Sequence, residues 1–372
     1  MAQPLFQCFA VTPPGCEALC AAELVELGLK PHPEAGGVSF QAQPRDLYRA
    51  NLWCRVASRI LVRLGSFRCR DFPELYRHAL KLPWGRFVRP EKACQVRVSC
   101  QGSRLNHSGR IAETVLAAAR KALGGATGGQ DGEQLLFARL ENDQCVLSVD
   151  SSGELLHRRG YRKAMVAAPL RENLAAAILL KLGYDGSQPL VDTMTGSGSF
   201  AIEAALLAQG TAPCRQRHFS FMDWPHYRPH VWTLCLQEQE TPAGPAPILA
   251  VDCNPAALEA ARENAAAAGV ADLITFVEAR AEDLEPPAPA GLLVCNPPYG
   301  ERLGAVEGLR PLYRQLGALY RGPFSAWDIG WISADRRFAA DMNISCRRLW
   351  SFSNGGLGVE LRQRRAKSRK NS

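Results

Sequence analysis

The segment Asn296-Pro297-Pro298-Tyr299 follows the apolar run Leu292-Leu-Val-Cys295 and carries the groups needed to grip an exocyclic amine. Such an amine on a nucleobase is a poor nucleophile, because its lone pair is delocalised into the ring. If the Asn296 side-chain oxygen and the Pro297 carbonyl accept its two N–H bonds, the nitrogen is fixed and its electron density turned toward an electrophile. The prolines hold φ and lack an N–H, so they present carbonyls without self-pairing. Tyr299 adds a ring that can stack on the base plane.

Two motifs upstream could hold a nucleoside beside that clamp. The run Pro189-Leu-Val-Asp192 reads as a strand, Thr193-Met-Thr-Gly196-Ser-Gly198 as a glycine turn, and Ser199 to Ala208 as a helix. The two glycines let backbone pass close to a ligand, and Gly196-x-Gly198-x-x-Ala201 also satisfies the dinucleotide-binding pattern. Asp252 ends the next strand, Ile248 to Asp252. A carboxylate at that place can accept from both ribose hydroxyls, which suits NAD and S-adenosylmethionine alike. The amine clamp separates the two, since hydride transfer has no use for it.

These motifs need a frame that gathers strand ends. Strand and helix alternate from residue 168 onward: a helix with Leu170, Leu174, Ile178 and Leu182 on one face, the two units above, and strands at Leu273 to Val277 and Gly291 to Cys295. In the second unit Asn254 is the expected helix cap, Pro255 the first helical residue and Gly269 the stop. The pattern predicts a doubly wound parallel sheet. The first half reads as compact α+β: strands at Phe6 to Thr12, Val38 to Phe40 and Ala93 to Cys100, and a hairpin of Leu135 to Leu140 with Gln144 to Asp150 turning near Asn142-Asp143. Helices are expected at Glu17 to Leu27, Arg45 to Leu61, Phe72 to Leu80 and Ile111 to Leu123, and a glycine-rich turn at Gly124 to Gly132. Gln209 to Pro247 reads as a long insertion with a proline-rich end.

The chain has 372 residues, 47% hydrophobic and 22% charged, which excludes disorder, collagen and coiled coil as descriptions of the whole. No apolar run approaches a membrane span and the amino terminus lacks a secretory pattern, so the expected location is the cytosol. Thirteen scattered cysteines fit a reduced protein using Cys as a small hydrophobe. No metal is expected: Cys16 and Cys20 form a lone pair, and Cys214, His218, His226, His230 and Cys235 sit in an aromatic-rich connection. Residues 1–164 hold 23 basic and 15 acidic side chains, residues 165–361 hold 15 and 21, and residues 362–372 hold 6 and none. Between Arg45 and Arg97 there are 13 basic residues against 4 acidic, interleaved with Trp53, Phe67, Phe72, Tyr76, Trp84 and Phe87. Arginines among aromatics suit a polyanion.

With these motifs the sequence resembles the class I S-adenosylmethionine-dependent methyltransferases, and more narrowly the THUMP-domain RNA guanine-N2 methyltransferases. Within them it is most similar to the first methyltransferase unit of the bifunctional bacterial large-subunit ribosomal RNA enzyme. The likeness runs through Thr12-Pro-Pro-Gly-Cys-Glu17, Gly36-Gly37-Val38, Leu156-His-Arg-Arg-Gly-Tyr-Arg162, Ala168-Pro-Leu-Arg-Glu-Asn-Leu174, Asn296 to Leu303, and Ser353-Asn-Gly-Gly-Leu357. It implies a ferredoxin-like piece at 1–44, a THUMP RNA-binding domain at 45–160, a Rossmann-like methyltransferase domain at 161–361 and a disordered basic tail at 362–372. It also implies S-adenosyl-L-methionine as cofactor, bordered by Asp192, Gly196, Gly198 and Asp252. Asn296, Pro297, Pro298 and Tyr299 would hold the target base, and RNA would be the partner, ribosomal first and transfer RNA second. The sequence departs from the family at Thr193 and Thr195, where proline and cysteine are usual, and at Arg280, where an aspartate commonly meets the adenine amine. Arg280 cannot accept a hydrogen bond, so Glu282 or a backbone group is expected there. The rival expectations are an adenine-N6 methyltransferase and a non-catalytic RNA-binding protein.

Overall fold

The structure, a computed structural model, describes residues 5–125, 133–164, 170–238, 246–299 and 305–366, with the backbone alone at 305–307. Much of the glycine-rich turn after Gly124, Ala168-Pro169, most of the proline-rich end of the insertion, and Glu301 and Arg302 lie outside the described residues. The chain forms two compact units, one built from Met1–Thr12, Cys20–Leu156 and Arg217–Glu238, the other from Pro13–Leu19, His157–Gln216 and Gln239–Ser372.

The first unit is organised on one sheet of β1 (Phe6–Val11), β2 (His32–Glu34), β3 (Gly37–Ala42), β4 (Arg59–Arg68), β5 (Ala93–Gln101), β6 (Glu133–Glu141) and β7 (Gln144–Asp150). Their order is β2-β3-β1-β4-β7-β6-β5, and only β5 and β6 pair in parallel. This sheet crosses the expected boundary at residue 44, because β4 pairs with β1 on one side and β7 on the other. The helix expected over Arg45 to Leu61 runs instead from Pro44 to Trp53, opened by a proline at its start and by the Gln43 N–H bonding to Asp46 at 3.1 Å. Of its expected remainder, residues 54–58 are irregular and Arg59 to Leu61 open β4. Ile60 and Val62 favour a pleated surface, and pairing on both edges outweighs the helical spacing. The β6–β7 hairpin turns as expected, with Asn142 and Asp143 at φ 51° and 65°.

The aromatics of the basic stretch divide. Trp53, Trp84 and Phe87 are buried core, whereas Phe67, Phe72 and Tyr76 stay partly exposed. The insertion residues Arg217–Glu238 pack into this unit: Phe221 stacks on Tyr48 with centroids 4.4 Å apart, and Ser220 Oγ and Trp224 Nε1 both donate to Gln134 Oε1. His226 precedes the helix Pro229–Gln237 that contains His230, so the two share no helical face. Among the described residues Cys20, Glu23 and Cys54 bring ligating atoms within 4.8 Å of one another. Glu23 already accepts the Arg55 and Val56 N–H groups at 2.8 and 3.2 Å.

The second unit carries β8 (Leu190–Asp192), β9 (Ile248–Asp252), β10 (Ile274–Glu278), β11 (Leu292–Cys295), β12 (Asp328–Ser333), β13 (Arg347–Asn354) and β14 (Leu357–Arg364). The order is β10-β9-β8-β11-β12-β14-β13, parallel from β10 through β12 and antiparallel at β14. Strand order reverses between β8 and β11, the place where such sheets bind ligands. Beneath it Val191, Leu293, Tyr320, Phe324, Trp327 and Trp331 form a buried core. Of the basic tail expected from Arg362, residues 362–364 instead complete β14, and residues 367–372 lie outside the described residues. Val359, Leu361 and Gln363 are buried there while Arg362 pairs with Glu360 at 2.6 Å. Among the described residues no helix is long and apolar enough to cross a membrane.

Candidate active site

The register of three strands assembles the site. Asp192 on β8 lies opposite Val294 of β11 on one side and Ala250 of β9 on the other. Asn296 and Asp252 therefore each stand two residues further along the same carboxyl edge.

The glycine turn is tied to that edge by side chains. Gly196 N–H donates to Asp252 Oδ2 at 2.9 Å, and Asn254 N–H donates to Oδ1 at 3.0 Å. Each oxygen of a carboxylate has two acceptor positions, so Asp252 keeps room for a pair of hydroxyls. Asn254 also caps the helix Pro255–Ala268, as its sequence position predicts, by accepting from Ala256 N at 3.0 Å. Thr195 donates its hydroxyl to Asp192 Oδ2 at 2.7 Å, which gives the family departure at this position a role. Asp192 Oδ1 is buried and has no hydrogen-bond partner among the described residues. Burial, assisted by the charge of Asp252, outweighs the Thr195 hydroxyl and the Met194 and Ala201 backbone N–H groups and pushes the Asp192 carboxyl up to about 7. An orphaned buried acceptor of this kind calls for a donor from a ligand, and a cationic donor would restore its charge.

Gly198 also packs closely against the chain's own helices. At φ 88° it precedes the helix Ser199–Ala208, and a Cβ there would lie 3.1 Å from Ile202 Cδ1 and 3.2 Å from Ala261 Cβ. The missing side chain lets two helices approach. Gly198→Ala is expected to destabilise the protein by about 2 kcal/mol through the left-handed backbone and this crowding, read as a lowered midpoint in thermal or urea unfolding.

The turn is braced from outside by residues whose role the sequence did not reveal. Arg162 donates to Ser197 Oγ at 2.8 Å, Ser199 Oγ at 2.9 Å and the Leu170 carbonyl at 3.0 Å, and pairs with Glu172 at 2.8 Å. Asn264 Nδ2 donates to the Ser197 carbonyl at 3.0 Å. Nearby, Arg159 and Glu203 form a fully buried ion pair at 3.4 Å. Burial lowers His157 to about 4, so it stands neutral.

On the loop after β11, Pro297 is buried, Pro298 exposed, and Asn296 and Tyr299 partly buried. The Tyr299 hydroxyl donates to Asn296 Oδ1, and Asn354 Nδ2 approaches the same hydroxyl at 3.5 Å. Burial pushes the Tyr299 phenol up to about 12, so it remains a donor at neutral pH. Tyr313, stacked on Phe338 with centroids 4.1 Å apart, donates to the Pro298 carbonyl at 3.1 Å. Asn354 and Tyr313 were not singled out by sequence reasoning. Asn354 lies in the motif Ser353-Asn-Gly-Gly-Leu357, which is the β13–β14 turn. Glu282 is engaged by Arg280 at 2.6 Å; burial works against its charge, but its own backbone N–H and Arg280 outweigh this and lower it. The guanidinium that replaces the family's usual acid thus leans on the carboxylate expected to substitute for it.

Comparison with known proteins fits this geometry. The family described as "RMKL-like, methyltransferase domain" matches residues 159–360, and "RlmL ferredoxin-like domain" matches residues 7–61. The latter match runs past residue 44 into β4, as the continuous sheet does. A putative RNA methyltransferase of Synechocystis, slr0064, is 34% identical over 95% of each chain. The ribosomal RNA large subunit methyltransferase K/L of Syntrophotalea carbinolica is 37% identical over 95% of this chain and 52% of its own. The chain thus spans about half the length of the K/L relatives. The crystal structure of SMU.472, a putative methyltransferase complexed with SAH, superposes with a TM-score of 0.88 at 30% identity, covering 100% of both chains. The match over residues 159–360, more than half of the sequence, shows that the chain belongs to the RMKL-like methyltransferase domain family.

Proposed function

We propose that the protein uses S-adenosyl-L-methionine to methylate the exocyclic N2 amine of a guanine in RNA, with large-subunit ribosomal RNA as the substrate and the cytosol as the location. The observation that carries this reading is the register that places Asp192, Asp252 and Asn296 on one carboxyl edge at the reversal of strand order. Asp252 holds the ribose hydroxyls, and Asp192 Oδ1 takes the donor that its burial demands. Glu282 and nearby backbone serve the adenine. When bound, the cofactor would supply an electrophilic methyl to the amine and would be left as S-adenosylhomocysteine.

The chain's own contribution is positioning. Asn296 Oδ1 and the Pro297 carbonyl accept the amine's N–H bonds, and Tyr299 supports the base. A near-attack arrangement replaces a bimolecular encounter, and the amine's proton leaves to water after transfer, so no strong base is required. A paired guanine must be extruded or presented in an open RNA. The choice of RNA is supported by the names of the relatives and by the basic first half, whose residues 45–160 we assign to a THUMP module extending the ferredoxin-like piece. Only the methyl transfer is proposed, since the K/L relatives carry roughly as much chain again.

The test is nucleoside mass spectrometry of ribosomal and transfer RNA from cells lacking the gene, with calorimetry of the purified protein and S-adenosylmethionine. Loss of N2-methylguanosine at one ribosomal position is expected. Loss of N6-methyladenosine alone would overturn the choice of base, and RNA binding without cofactor binding would leave a non-catalytic protein.

A further inference from the structure

The first unit contains a cavity of about 520 Å³ lined chiefly by Phe6, Tyr48, Arg86, Trp224, Tyr227 and Arg228. That volume lies within the roughly 300–1,000 Å³ of sites that enclose a small ligand. Its walls combine three features. The aromatic side is rigid: the Trp224 indole N–H is fixed on Gln134 at 2.9 Å, Phe87 meets Trp224 edge-on at 5.0 Å, and the Tyr48 hydroxyl accepts the Arg228 N–H at 3.2 Å. Tyr227 sits edge-on to Tyr48 at 5.8 Å. The cationic side lacks its usual counter-charge: among the described residues the structure records no ion pair for the Arg86 or Arg228 guanidinium, and no carboxylate lines the cavity. Arg86 instead lies over the rings of Phe6 and Phe87, 5.5 Å from each centroid. The third feature is origin, for Trp224 to Arg228 belong to the insertion, which folds into this unit and closes one wall.

We propose that this cavity binds one unpaired nucleotide of an RNA strand, the base against the partly exposed Phe6 and Tyr227, with the buried Trp224 backing the wall, and its phosphate on Arg86 and Arg228. Aromatic faces accept any base by stacking, while a guanidinium already lying on a ring can fork to a phosphate without losing that support. An apolar ligand would leave two cations uncompensated, and an acidic peptide would leave the flat aromatic wall without a partner plane. Strand polarity and sequence are not specified by these groups, so the site anchors a single-stranded segment rather than reading it. The proposal rests on the function proposed above only for the choice of polymer, and its test requires neither cofactor nor turnover.

The test uses the full chain and a 5′-phosphorylated pentauridylate labelled with fluorescein, followed by anisotropy, alongside an abasic strand of equal length and free uridine monophosphate. Arg86→Ala and Tyr227→Ala are each expected to weaken pentauridylate binding about tenfold or more, and the abasic strand to bind correspondingly less well. Arg70→Ala, which removes an exposed arginine paired with Asp143 in the same unit, is expected to change it less than twofold. In the unaltered protein, a strand carrying 4-thiouridine should crosslink within residues 224–228 or at Phe6. Equal binding by Arg86→Ala and Tyr227→Ala, an equal loss from Arg70→Ala, or crosslinks confined elsewhere would overturn the assignment. So would uridine monophosphate binding as tightly as the strand, which would make this a site for free nucleotide. Because S-adenosylmethionine is absent throughout, failure here leaves the methyl-transfer reading standing, and failure of methyl transfer leaves this site standing.

Discussion

Asn296→Ala is expected to lower single-turnover methyl transfer about 10²–10³-fold while leaving the affinity for S-adenosylmethionine unchanged. On the function proposed above, the side-chain oxygen would be the acceptor that fixes the amine and favours the charge developing on nitrogen, and groups of this kind typically supply that factor. The effect is expected on the chemical step, because Asn296 follows β11 whereas the acids assigned to the cofactor end β8 and β9. Calorimetry with the cofactor and rapid-quench transfer to RNA separate the two quantities. Unimpaired turnover in the purified variant would remove the amine clamp from the mechanism. Asn296→Asp keeps an acceptor in place and is expected to lose less than the alanine variant.

The second large effect is expected at Asp192. Its carboxyl is buried, has an unpartnered oxygen and is raised to about 7. A charge-assisted hydrogen bond contributes about 1.5–3 kcal/mol, so Asp192→Asn is expected to weaken S-adenosylmethionine binding on the order of 10- to 100-fold. In the unaltered protein, affinity should decline as pH falls through about 7, where the free carboxylate takes up a proton. Stability without ligand moves in the opposite sense. The folded carboxyl holds its proton more tightly than the unfolded one, whose ordinary value is 3.8, so the protein loses stability as pH rises from about 4 to about 7. Asp192→Asn should therefore unfold at a higher temperature than the parent at pH 8, with the difference vanishing near pH 4. Scanning calorimetry across that range checks the sign; a variant less stable than its parent at pH 8 would contradict it.

The parts of this molecule that were legible in the sequence are those set by local chemistry. Asn254 caps and Gly269 stops the same helix because a short polar side chain and a left-handed residue do so wherever they stand. Asp192, Asp252 and Asn296 could be placed because each ends an apolar strand. What escaped depended on partners distant in sequence. Arg59–Arg68 shows helical spacing at its start, and only its pairing with β1 and β7 makes it a strand. Residues 362–364 look like the start of a basic tail until β12 and β13 claim them. Asn354 meets Tyr299 across 55 positions, and no periodicity signals such a contact. Arg162 likewise reaches Ser197 and Ser199 through a bend in the chain.

The hydrogen bond from Tyr299 to Asn296 means that the clamp is closed on itself before any base arrives. An incoming amino group must displace a phenol, and it can do so at little cost because it returns a donor to the same oxygen. A keto oxygen offered at that point brings no hydrogen and would leave its own lone pairs facing an acceptor. On the function proposed above, a xanthine-type edge, which carries a keto oxygen where guanine carries its N2 amine, would be turned away before the methyl donor is consulted, so base selection would begin with the polarity of the loop.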